Sequence, residues 1–151
     1  MDTKELIEFC FYNEQAIKQA VYEKREDGCV PKTGGSGHCK ISDTTANKAI
    51  TNVMPVPVVL VEYGIAYNGK RDTFALKNPE QWLKVVEWTR EQYADTQRGD
   101  IMKARYVDGE RRFITAKRLG ISTQLYSVML TDLLTFAKGL AIGMGILPPK
   151  H

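Results

Sequence analysis

Arg111, Arg112, Lys117 and Arg118 are followed within a few residues by Ser122, Thr123, Gln124 and Ser127. The first group is cationic, and guanidinium and ammonium groups bind phosphate oxygens. The second is uncharged and short, able to donate to and accept from the edges of nucleobases. A glutamine can pair with adenine through two hydrogen bonds, and a threonine can touch a thymine methyl. Together these side chains carry the chemistry of a surface that contacts double-stranded DNA, provided a scaffold sets them side by side.

The residues between them supply such a scaffold. Ala116 is small enough for a second helix to cross closely, and Gly120, four residues on, can take the positive φ of a tight turn. Ser122 caps the next helix. Leu119, Ile121 and Tyr126 supply apolar faces that hold the pair together. The pattern predicts a helix-turn-helix, with Ala116, Leu119, Gly120, Ile121 and Tyr126 as its structural residues.

Charge is distributed accordingly. The net charge of the 151-residue chain is only +3. Residues 1–96 hold 12 Lys and Arg against 14 Asp and Glu, a balance of −2, whereas residues 97–151 hold 9 against 4, a balance of +5. The basic third is the one with the helix pair, which favours an anionic partner.

The rest of the chain reads as the elements that would position this surface. Residues 4–26 carry Leu6, Ile7, Cys10, Ile17, Ala20 and Val21 at helical spacing and predict one long amphipathic helix. Residues 28–41 break every period and predict a flexible Gly-rich loop. A short capped helix follows at 42–50, ended by Pro55 and Pro57. Residues 58–63 and 72–76 read as strands of a hairpin turned at Asn68-Gly69. Asn78-Pro79-Glu80 opens a core helix reaching about residue 96, in which Trp82 and Trp88 read as core side chains. A short helix at 100–107 and the turn Asp108-Gly109 precede the helix pair. The second helix runs from Ser122 through Ala137 into a tail of small residues, which suits close packing against a second copy. The predicted class is mainly α: a helical domain with a small β-hairpin insert and a C-terminal helix-turn-helix. The chain divides into 1–27, 28–41, 42–96 and 97–147.

Other chemistries find little support. The Gly-rich loop lacks the Gly-Lys-Ser/Thr ending of a phosphate cradle. Cys29, His38 and Cys39, with Cys10 as a fourth, do not match the paired spacing of a zinc site, so no metal and no cofactor is expected. The only histidines are His38 and His151, and no carboxylate pair has a fixed separation, so no catalysis is expected. Three cysteines, no signal peptide and no apolar run of bilayer length place the expectation in the cytoplasm, without a membrane partner.

The order of parts resembles phage and prophage transcriptional regulators of the RinA/ArpU type, whose C-terminal half is similar to sigma-factor region 4. The resemblance lies in the Gly-rich loop before Ser42-Asp43-Thr44-Thr45-Ala46, in Asn78-Pro79-Glu80-Gln81-Trp82-Leu83, in Lys103-Ala104-Arg105-Tyr106, in residues 116–126 and in Gly139-Leu140-Ala141-Ile142-Gly143. It implies a DNA-binding regulator in the cytoplasm of a bacterial host, with host RNA polymerase nearby. One departure stands out: where such proteins carry Arg or Lys after the capping Ser, this chain reads Thr123-Gln124-Leu125-Tyr126-Ser127-Val128. Two other readings keep the same shape. One is a factor that binds RNA polymerase or another protein through Leu125 and Val128; the other is a phage terminase small subunit, which is an oligomer.

Overall fold

The computed structural model describes residues 1–27, 55–64 and 71–149. The Gly-rich loop, the helix expected at 42–50, the Asn68-Gly69 turn, Cys29, His38, Cys39 and His151 lie outside the described residues. The elements are α1 (Thr3–Tyr12), α2 (Glu14–Asp27), β1 (Val58–Gly64), β2 (Arg71–Lys77), α3 (Pro79–Gln92), α4 (Gln97–Tyr106), α5 (Arg112–Leu119) and α6 (Thr123–Gly143). The protein is mainly helical, with one antiparallel hairpin among the described residues. It forms two compact units, one of residues 15–80 and one of residues 1–14 with 81–151.

The smaller unit contains the hairpin, which pairs in register from Val58↔Lys77 to Gly64↔Arg71. Alternation puts Val59 and Val61 on the buried face, with Leu76 directly across from Val59. Leu60 points outward and is exposed. The Asn78 N–H donates to the Pro57 carbonyl at 2.9 Å, one step past the ladder. Asn78 has φ 54, so it stands in the left-handed region and not in the extended conformation expected of a cap. Glu80 anchors this corner. Its carboxylate accepts from the Val56 N–H at 2.7 Å and pairs with Arg25 of α2.

The single helix expected over residues 4–26 is two. Asn13 donates both its backbone N–H and its side-chain Nδ2 to the Phe9 carbonyl, at 3.0 and 2.9 Å. Asn13 itself leaves the helical region (φ −115, ψ 26), and α2 restarts at Glu14. Apolar periodicity runs through the break because it does not register the backbone conformation of a single residue. At the other end, Asp2 and Glu5 form a reciprocal capping box. Within α3, Trp82 is 2% exposed but Trp88 is 43% exposed, contrary to the expectation that both are core. Six residues carry Trp88 about 120° round the helix from Trp82.

The larger unit is built around α6, which packs against α1, α4 and α5. Tyr126, Met129, Leu133, Leu134, Ala137 and Ala141 form its buried face. The small-residue tail stays helical to Gly143. The Thr96 hydroxyl caps α4 by accepting from the Gly99 N–H at 3.2 Å, so that helix begins three residues earlier than its apolar residues suggest. A Cβ on Gly99 would lie 2.2 Å from the Tyr93 carbonyl oxygen, which is why this corner needs glycine.

By length and composition α6 could cross a membrane, with a mean hydropathy of 1.4 and 33% of that window buried. This amends the expectation that no segment is apolar enough. A mean over a helix tolerates Asp132 and Lys138, whereas an uninterrupted apolar run does not.

Candidate nucleic-acid interface

The chain reaches α5 through Asp108-Gly109, where Gly109 has φ 69 and the Glu110 N–H donates to the Ala104 carbonyl at 2.7 Å. Arg111 is extended (φ −69, ψ 146) and contributes no side-chain cap. The first turn is held instead by Glu110. One carboxylate oxygen accepts from the Thr115 hydroxyl at 2.6 Å and from Arg118 Nε and Nη2 at 3.2 and 3.1 Å. The Thr115 hydrogen bond, then Arg118, hold the Glu110 carboxyl below its usual 4.5.

Gly120 ends α5. Its φ and ψ of 70 and 32 are left-handed, its N–H donates to the Lys117 carbonyl at 3.2 Å, and the Ile121 N–H donates to the Ala116 carbonyl at 3.0 Å. These are the two bonds of a Schellman closure. Gln97 of α4 adds a contact at 3.4 Å to the Leu119 carbonyl. The Ser122 hydroxyl then accepts from the Leu125 N–H at 3.0 Å and starts α6. Ala116 is buried, Leu119 and Ile121 are half-buried, and Tyr126 is fully buried.

The chain thus brings the polar candidates together on the first turn and a half of α6. Ser122, Thr123, Gln124 and Ser127 are all exposed. The Ser127 hydroxyl donates to the Thr123 carbonyl at 3.1 Å, which leaves its oxygen free to accept. Arg111, Arg112 and Lys117 are exposed with no acidic partner among the described residues. Arg118 differs, because its guanidinium is engaged by Glu110. Apolar side chains also reach solvent here: Phe113, Ile114, Leu125 and Val128 are 59%, 45%, 40% and 55% exposed.

Behind this surface lies a polar network with no signature in the sequence. Glu8 of α1 accepts from Arg105 Nη2 at 3.2 Å and from the Tyr106 hydroxyl at 3.0 Å. Tyr106 makes edge contacts with Phe11 and Tyr12, at centroid distances of 5.0 and 4.7 Å. Burial, with Glu8 alongside, pushes the Tyr106 phenol up. The buried Tyr126 hydroxyl lies beside the Arg105 guanidinium and helps to hold it charged. On the opposite side, Arg98 donates through Nε and Nη2 to Asp132 Oδ2 at 2.9 and 2.7 Å, fixing α4 to α6. No residue spacing signals these pairs, since their partners are 34 to 98 positions apart.

Among the described residues no His, Cys, Asp and Glu group could hold a metal ion. Cys10 is a free thiol in the core, and burial pushes its pKa far up. Comparison with known proteins finds no family model, no curated protein and no solved structure that matches the chain.

Proposed function

We propose that the protein is a DNA-binding transcriptional regulator of the phage type, in which α5 and α6 act as a helix-turn-helix. The observation that carries this reading is the Schellman turn at Gly120, followed by the Ser122 cap. It leaves Ser122, Thr123, Gln124 and Ser127 exposed at the start of α6, in a helix pair where Arg111, just before α5, and Arg112 and Lys117 within it have no acidic partner among the described residues. Arg111, Arg112 and Lys117 hold phosphates and set the register; the polar group reads base edges. Arg118 holds Glu110 at the start of α5. The motif resemblance to phage and prophage regulators points the same way. A cytoplasmic location in a bacterial host, a homo-oligomeric state and the absence of catalysis belong to the same proposal.

A second reading rests on Phe113, Ile114, Leu125 and Val128. Four large apolar side chains exposed on one helix pair suit a protein partner, such as an RNA polymerase subunit.

Fluorescence anisotropy separates the two. Labelled duplexes tiling the DNA around the gene are titrated between about 50 and 200 mM salt. DNA recognition gives tight binding to one fragment, and Arg111→Ala/Arg112→Ala/Lys117→Ala lowers the salt slope by about 2.7, roughly 0.9 per lost phosphate contact. Weak binding that ignores sequence and those substitutions shifts the assignment to the protein partner.

A further inference from the structure

Phosphate neutralisation supplies much of the affinity of a DNA-binding protein, yet among the described residues three cations of 97–149 are engaged by acids. Arg98 is held by Asp132, Arg105 by Glu8 and Arg118 by Glu110. Along α6, Gln124, Ser127, Thr131, Thr135 and Lys138 follow at intervals of three and four and share one side of the helix. Thr131 spends its hydroxyl hydrogen on the Ser127 carbonyl at 2.9 Å. At 1.5 Å per residue, Lys138 lies about 16 Å along the axis from Ser127. The major groove is about 12 Å wide. A helix that lies across the groove with its first turns on base edges brings Lys138 to the wall of the groove, where the backbone runs.

The wall has a receptacle. Thr3 and Lys4 of α1 face Thr131, Leu134, Thr135 and Lys138 of α6 across a groove of about 290 Å³. A recess of about 380 Å³ continues from Lys4 and Lys138 towards Pro149. Neither lysine has an acidic partner among the described residues. Asp2, which also lines that recess, and Glu5 cap α1 reciprocally, Asp2 Oδ1 accepting from the Glu5 N–H at 2.8 Å and Glu5 Oε2 from the Asp2 N–H at 3.1 Å, so both carboxylates are fixed in the cap and neither pairs with a lysine among the described residues.

We infer that Lys4 of α1 and Lys138 of α6 clamp a backbone phosphate of duplex DNA between them, with the hydroxyls of Thr3 and Thr135 as further donors. The duplex is then held at both ends of the polar side of α6, by α5 at one end and by the α1 groove at the other. This rests on the DNA-binding reading above.

The test uses the full chain and a labelled mixed-sequence duplex, with anisotropy read between about 50 and 200 mM salt. Lys4→Ala/Lys138→Ala is expected to lower the slope of log K against log salt by about 0.9, for the one phosphate held between the two lysines. Lys4→Arg/Lys138→Arg keeps the slope. Lys24→Ala/Lys84→Ala, which removes the same charge from exposed positions on α2 and α3, leaves it unchanged. A circular dichroism melt of each variant shows that the fold persists. If the wild type binds and the α5 triple variant flattens the slope while Lys4→Ala/Lys138→Ala does not, the clamp is wrong and the DNA reading stands. If the charge-matched control flattens it equally, the effect is long-range and the clamp is wrong. If the wild type shows no salt-dependent binding, both readings fall.

Discussion

Glu110 is the residue on which the start of α5 closes, and its ionisation makes that closure sensitive to pH. Thr115 and Arg118 both favour the carboxylate, so its folded pKa lies below the usual 4.5. A depressed carboxyl pKa stabilises the fold above the unfolded value, and that stabilisation is lost as pH falls through the folded one. Glu110→Gln should therefore be less stable than wild type at neutral pH. The gap should close as pH drops from about 4.5 through the lowered pKa, as followed by urea denaturation across that range. A gap that stays constant with pH would mean that the Thr115 and Arg118 contacts do not depend on the charge. From sequence, Arg118 reads as a phosphate ligand. Its spacing from Glu110 shows nothing until Gly109 and the extended Arg111 bring the carboxylate back over the helix.

At the scale of elements, local rules were sufficient where the determinant lies within a few residues. The Gly120 turn, the Ser122 cap and the two strands follow from backbone preferences and near-neighbour hydrogen bonds, and they stand where the spacing puts them. Gly120→Ala tests the first of these. No atom lies within 4 Å of the added Cβ, so the whole cost is the left-handed backbone. The expected loss is about 1 to 2 kcal/mol, read from the denaturation midpoint at unchanged m-value. No loss would mean that the turn relaxes to another conformation. The N-terminal helix shows where such rules stop. Its apolar pattern is continuous, but Asn13 leaves the helical conformation and the helix divides. Trp88 shows the same limit, because aromatic character at helical spacing does not say which side of α3 is covered.

For the molecule as a whole, α6 is both the floor of the larger unit's core and the bearer of the candidate reading surface. Six of its side chains are buried, and Leu133 is 0% exposed. Leu133→Ala should destabilise that unit by about 2 to 5 kcal/mol, measured by urea denaturation followed by near-ultraviolet circular dichroism. A loss under about 1 kcal/mol would mean that the core repacks around the cavity. By itself the sequence determined the class of the fold, the two strands of the hairpin, the turn at Gly120 and the exposed polar group on α6. Each of these depends on φ and ψ preferences and on side chains a few positions apart. Tertiary structure alone decided which cations remain available, because Arg98 and Arg105 meet their acids across 34 and 97 residues. It also set Lys4 beside Lys138, since only the packing of α1 on α6 brings the two charges to one groove.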